Sequence, residues 1–293
     1  MNVPRRQFLG ALAAAGLASA AETRFTKSIC SVIFPPKTPL ATMFAQAKAA
    51  GFDAIELRLD VDLLRPADLG SMAKDHGMEI ASLWVSQALG QHPLNSPDAA
   101  VRALGVADIE RALDVAAGIG CGALLLVPGR VGSGARLFAG YEDTWNRFTD
   151  ELTKCVPAAA SRHVLLTVEN VWNLFLMSPL EMRSFVDQFH SPWVMAHFDM
   201  GNVLRFGYPE DWVRTLGPRI RRVHVKDFKL QQGMQAGHFV PLLTGDVNFQ
   251  AVMTALRETG YHGYLSPEIE HDPNQSDQLA AVSKQLDRII ALA

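Results

Sequence analysis

Val164-Leu165-Leu166-Thr167-Val168-Glu169-Asn170, Val194-Met195-Ala196-His197-Phe198-Asp199-Met200-Gly201-Asn202 and Arg222-Val223-His224-Val225-Lys226-Asp227 share one pattern. Each is a short apolar, β-branched run that closes on a carboxylate or an imidazole. Runs of this length read as buried strands. Between them the helical patterns Pro179–Gln188 and Pro209–Leu216 both open on proline, a residue suited to the first helical turn. The rhythm continues in both directions. Ser28–Ile33, Ala54–Leu57, Ile80–Val85 and Ala123–Val127 are the preceding candidate strands, and Tyr264–Glu268 follows. Helical patterns fall near Leu40–Ala50, Pro66–His76, Pro97–Gly118, Tyr141–Ser161, Phe249–Gly260 and Gln275–Ala291, several with Gly at or just past the end (Gly51, Gly77, Gly118, Gly260).

Strands that alternate with helices imply parallel pairing, because each crossover returns the chain to the same edge. Eight such units predict an α/β chain, a single-domain (β/α)8 barrel. A doubly wound open sheet is the competing arrangement. It usually carries a glycine fingerprint after its first strand, whereas here that strand runs into Pro35-Pro36. No linker, charge block or composition step divides the chain.

The chain has 293 residues, with 27 Lys and Arg against 30 Asp and Glu, a net charge of −3. That balance argues against nucleic acid as a partner. Apolar residues make up 48% and charged residues 19%, enough for a large core. Cys30, Cys121 and Cys155 are far apart and read as buried thiols, not as a disulfide framework or a structural zinc site.

Residues 1–20 read as an address. Arg5-Arg6 precedes Gln7-Phe8-Leu9, an Ala/Leu run follows, and Ala18-Ser19-Ala20 has the A-x-A form of a cleavage site. The expectation is a twin-arginine signal at 1–20, a barrel domain at 21–293, and a periplasmic or otherwise exported protein. The apolar run is too short to span a bilayer, so no stable membrane insertion is expected.

In a (β/α)8 barrel the reactive groups stand at the C-terminal ends of the strands. Glu169, Asp199, His224 and Glu268 close strands five to eight. A charge there is costly unless it is paired or binds a cation. Three carboxylates and one imidazole, with no thiolate, suit one divalent ion: Mn²⁺, Mg²⁺ or Co²⁺, or else Zn²⁺.

Together with Gly245-Asp246-Val247-Asn248-Phe249 and Gly260-Tyr261-His262-Gly263-Tyr264, these runs resemble the xylose-isomerase-like TIM barrels, the sugar phosphate isomerase/epimerase group. The resemblance is strongest from Val164 onward. Asp199-Met200-Gly201-Asn202 and Phe175-Leu176-Met177-Ser178 look nearest to the pentulose 5-phosphate 3-epimerase branch. It implies a divalent metal held by Glu169, Asp199, His224 and Glu268, with Glu169 and Glu268 doubling as acid/base groups. The implied activity is epimerisation or isomerisation of a ketose or keto-sugar through a metal-stabilised enediolate. One carboxylate would take a proton beside the carbonyl, and the other would return one from the opposite face.

Departures from the family pattern bear on the substrate. Free-ketose 3-epimerases carry a Glu where this chain has Phe175 and a His where it has Asn202. They also carry an Arg after strand seven, where Lys226 and Lys229 are the nearest bases. An exported enzyme rarely meets sugar phosphates, so an unphosphorylated sugar is expected. Asn202, Lys226 and Asp227 are candidate substrate contacts, and Lys226 or Asp227 could instead support the ligating His224. Trp84 and Trp172 could stack on a sugar face or simply pack in the core, and His92 reads as a solvent-exposed loop residue that could reach the pocket. Glu56 reads as a barrel-interior acid or a site member. His197 reads as a satisfied core histidine, and residues 129–134 as a flexible active-site loop. Three other functions use the same fold: a lyase acting on a keto-sugar or inosose, a sugar-binding barrel, and a repair endonuclease. The last needs a His-rich pocket and a basic face that the sequence lacks. A homo-oligomer is compatible with the sequence.

Overall fold

The computed structural model describes residues 25–59, 66–85, 90–133, 135–231 and 236–293. The twin-arginine signal read at residues 1–20 lies outside the described residues. Eight parallel strands close into a barrel: β1 Thr26–Cys30, β2 Ala54–Leu59, β3 Glu79–Val85, β4 Ala123–Leu126, β5 Leu165–Glu169, β6 Val194–Asp199, β7 Ile220–Val225 and β8 Tyr264–Pro267. Neighbours run in chain order, and β1 pairs with both β2 and β8. A helix follows each strand: α1 Leu40–Ala49, α2 Pro66–Asp75, α3 Ala99–Gly118, α4 Tyr141–Arg162, α5 Pro179–Asp187, α6 Pro209–Leu216, α7 Phe249–Glu258 and α8 Gln278–Ile290. The chain is a (β/α)8 barrel. Among the described residues, no helix is long and apolar enough to cross a membrane.

Local chemistry sets the helix starts. Ser178 Oγ accepts from Glu181 N before Pro179, Asp98 Oδ1 from Ala100 N, and Asn248 Oδ1 from Ala251 N. Side chains alternate faces along each strand. On β5, Leu166 and Val168 join the buried core under the helices, while Thr167 and Glu169 take the other face. On β6, Ala196 and Phe198 alternate in the same way with His197 and Asp199. Cys30, Cys121 and Cys155 are free and buried.

Register brings the strand ends level. Glu169 pairs with His197 across β5 and β6, and Asp199 pairs with His224 across β6 and β7. Gly201 lets β6 end close against β7, since a Cβ there would stand 2.5 Å from Lys226 Cβ. Two short antiparallel hairpins cap this pole: Asp227–Leu230 with Gly237–Val240, and Gly132–Ser133 with Arg136–Leu137. The second draws Gly132 and Ser133, read as part of a flexible active-site loop, into strand pairing. Asn173 Nδ2 donates to the carbonyls of Pro128 and Gly129, and Val131 N donates to Asn173 O.

Candidate active site

Glu169, Asp199, His224 and Glu268 converge at the C-terminal pole with one donor atom each, all within 4.8 Å of one another. That span is about twice the ~2.0–2.3 Å ligand distance of a small divalent cation. His224 Nδ1 faces the three carboxylates, 3.0 Å from Glu169 Oε1, 3.0 Å from Glu268 Oε2 and 3.8 Å from Asp199 Oδ2. The opposite nitrogen, Nε2, lies 2.7 Å from Glu56 Oε1, and Ser82 Oγ donates to the other oxygen of Glu56. A carboxylate behind a histidine fixes its ring and leaves the far nitrogen to act as a ligand.

The backbone turn after β6 fixes Asp199. Its Oδ1 accepts from Gly201 N and Asn202 N, both at 2.9 Å, while Asn170 bonds its main chain on both sides. Oδ2 is buried and accepts no well-aligned hydrogen bond among the described residues. Its neighbour is Lys226 Nζ at 2.8 Å, which also lies 2.7 Å from Glu268 Oε2.

Four buried or nearly buried carboxylates, Glu56, Glu169, Asp199 and Glu268, thus crowd around His224, and Lys226 is the one lysine or arginine paired with any of them among the described residues. Burial disfavours the charged form of His224, yet the charges of Glu56, Glu268 and Glu169 outweigh it and hold its proton affinity well above the ordinary range. Burial pushes the Glu169 carboxyl up, against the opposing charge of His224. For Glu268, His224 and Lys226 overcome burial and push the carboxyl down. Glu56 is likewise held down to about 2, because His224 outweighs its complete burial. This crowding of carboxylates, with a histidine oriented from behind, fits a divalent cation bound by three oxygens and one nitrogen.

The other candidates fall differently. Asp227 makes no hydrogen bond to His224, and it lines the cavity beside Lys226 and Glu268. Its carboxylate accepts from the backbone amides of Phe228, Thr244, Gly245 and Val247. It holds the loop after β7, where a Cβ on Gly245 would collide with it. Asn202 is buried, and its amide donates to Asn170 O, bracing the turn that carries Asp199. His92 Nδ1 pairs with Asp108 on α3 at 2.7 Å. Trp84 lies under the Arg58 guanidinium, 4.2 Å from the ring centroid. Trp172 stays half-exposed; its Nε1 donates to Asn202 O and its ring stacks on Phe239, with centroids 4.9 Å apart.

His197 corrects the reading of a satisfied histidine. It is fully buried, and both ring nitrogens lack a hydrogen-bond partner among the described residues. Its Nε2 stands 3.7 Å from Glu56 Oε2. Glu56 itself, left between two roles by the sequence, belongs to the site. Its one local signal is an acid inside the apolar run Ala54–Leu59, while its partner His224 stands 168 residues away. Phe175 is buried against Tyr141, Trp145 and Phe185, so an aromatic cluster occupies that position.

The sequence pattern of the xylose isomerase-like TIM barrel matches residues 44–290. The chain belongs to that family. Among xylose isomerase-like relatives, L-ribulose-5-phosphate 3-epimerase UlaE of Escherichia coli O1:K1 / APEC is 28% identical over 266 residues, covering 84% of this chain and 87% of that one. Solved barrels of like fold include a D-tagatose 3-epimerase-like protein, with TM-score 0.76, 20% identity and coverage of 92% and 98%. Another is 3-keto-D-glucoside 4-epimerase YcjR of E. coli, with TM-score 0.74, 16% identity and coverage of 92% and 100%.

Proposed function

We propose that this xylose isomerase-like barrel is a divalent-metal-dependent epimerase or isomerase of a ketose or keto-sugar, exported through the twin-arginine pathway. The observation that carries the chemistry is the cluster of Glu169, Asp199, His224 and Glu268, with His224 backed by Glu56. The relatives named 3-epimerases support the same reaction class. Export rests on Arg5-Arg6 and Ala18-Ser19-Ala20.

Glu169, Asp199, His224 Nδ1 and Glu268 would hold the cation, which when bound supplies a Lewis acid for the negative charge that develops on the substrate's carbonyl oxygen. Moving a stereocentre beside a carbonyl needs removal of a weakly acidic C–H proton and its return to the other face. Glu169 and Glu268, three strands apart and each 3.0 Å from His224 Nδ1, would serve as the two acid/base groups, one for each face of the substrate. Lys226, ion-paired with Asp199 and Glu268, would donate to a substrate oxygen.

The test is incubation of Mn²⁺-loaded protein in D₂O with free ketoses, inososes and keto-glycosides, followed by mass and NMR analysis. Solvent deuterium at one carbon of an epimerised sugar is the expected result. A conjugated, ultraviolet-absorbing product would replace epimerisation with elimination, and no exchange with any keto-sugar would refute the reading.

A further inference from the structure

A cavity of about 350 Å³ opens beside Lys226 and Glu268, between the hairpin after β7 and the segment from Glu268 into α8. Another, of about 220 Å³, lies beyond Trp172 and is lined by Arg130 and Ser133. The stacked rings of Phe239 and Trp172 contribute one to each lining. Glu268 and Lys226 line only the larger cavity, so the reactive cluster adjoins that one.

Its walls are mainly apolar: Phe239, Val240, Pro241 and Leu242 on the hairpin side, and Ile269 and Val282 on the other. They are braced in place. Gln285 Nε2 donates to Leu242 O, tying α8 to the hairpin exit, and Gln278 bonds Glu270 O and Asp272 N. The charges are one-sided. Asp227, Glu268, Glu270 and Asp272 line the cavity, and Lys226, its one cationic lining residue among the described residues, is already paired with Asp199 and Glu268. A phosphate dianion would meet carboxylates there without a free cation. An uncharged group with an apolar face would bury against Phe239, Val240 and Pro241.

We propose that this cavity receives an uncharged substituent carried by the sugar, so that the substrate class is a keto-glycoside and not a sugar phosphate. The inference rests on the proposed sugar site but is tested by binding alone. Isothermal calorimetry of the full chain with Mn²⁺ would compare phenyl β-D-glucoside, methyl β-D-glucoside and D-ribulose 5-phosphate. Phenyl β-D-glucoside should bind at least tenfold more tightly than the methyl glycoside, and more tightly than the phosphate. Ala281→Trp, which fills the cavity from α8, should remove that tenfold advantage while leaving methyl glucoside affinity unchanged. If circular dichroism shows Ala281→Trp unfolded, Phe239→Ala on the hairpin should reduce the same advantage. Equal affinity for the two glucosides, a phenyl advantage that survives in a folded variant, or tighter binding of D-ribulose 5-phosphate overturns the proposal. Turnover enters none of these outcomes, so a failure of the epimerase reading in D₂O is seen separately.

Discussion

Glu56 Oε1 lies 2.7 Å from His224 Nε2, on the edge of the imidazole opposite Glu169, Asp199 and Glu268. An ionised carboxylate there keeps the ring proton on Nε2 and leaves Nδ1 free to bind a cation. Glu56→Gln can place an amide donor against Nε2 and drive the proton to Nδ1. The expected outcome is a ~10–100-fold loss of metal affinity, read by titration of the Co²⁺ absorption bands. Unchanged affinity would show that His224 needs no such support.

Removing the imidazole itself should cost more. His224→Ala leaves three carboxylates and Lys226, and Lys226 can then neutralise the remaining pair it already touches. A bound ion stabilises the parent by about 2.7 kcal/mol at a hundredfold excess over Kd. Mn²⁺ should therefore raise the parent's Tm, and the variant's Tm should not move. An equal rise in both would place the ion elsewhere.

The barrel was legible because strand and helix periods alternate without interruption, and register did the rest. The pairings Glu169 with His197 and Asp199 with His224 bring together acids that the sequence shows only as strand ends. The supporting contacts were not legible. The contact of Glu56 with His224 crosses from β2 to β7, and no local pattern encodes a partner across a barrel. The backbone role of Asp227 was hidden for the same reason: the loop Thr244–Val247, whose amides its carboxylate accepts, lies far along the chain. His197 looked satisfied because most buried polar groups are, and the structure gives its ring nitrogens no hydrogen-bond partner among the described residues.

Away from the site, Glu151 gives a pH signature. Its burial raises the carboxyl's proton affinity, but hydrogen bonds from Lys154 at 2.6 Å and Arg102 at 2.9 Å hold it below the ordinary range. A depressed carboxyl contributes stability above its unfolded pKa, about 4.3, and loses it as pH falls toward the folded value. Glu151→Gln should destabilise by roughly 1.5–3 kcal/mol at pH 7. In urea unfolding the gap from the parent should close progressively below about pH 4.3. A gap that does not change with pH would mean that packing, not charge, sets the cost.

Export can be tested without any assay of chemistry. Arg5→Lys with Arg6→Lys keeps the charge of the amino-terminal segment but removes the paired guanidinium groups. The precursor should accumulate in the cytoplasm at full length, and the processed form, shortened at Ala20, should vanish from the periplasmic fraction. Unchanged periplasmic recovery would show that the pair is accidental or that another route serves.

The division of labour between Glu169 and Glu268 is the most demanding test. Both are ligand candidates and both are acid/base candidates, so Glu→Ala would remove two functions together. Glu→Gln keeps a coordinating oxygen and removes the basicity. A lost general base costs ~10²–10⁴-fold in rate, so an epimerase should lose turnover in both Glu169→Gln and Glu268→Gln while each variant keeps its metal. The two should still differ in hydrogen exchange. With one carboxylate left, abstraction from that face can continue and wash deuterium into the substrate without inverting it. His224 Nδ1 lies 3.0 Å from each acid, so neither is favoured by distance. A lyase or one-base isomerase predicts instead one dead variant and one mildly impaired. If both variants bind metal and turn over at the parent's rate, the proton transfers belong to other groups, and Lys226, within 2.7–2.8 Å of Glu268 and Asp199, is the next residue to change.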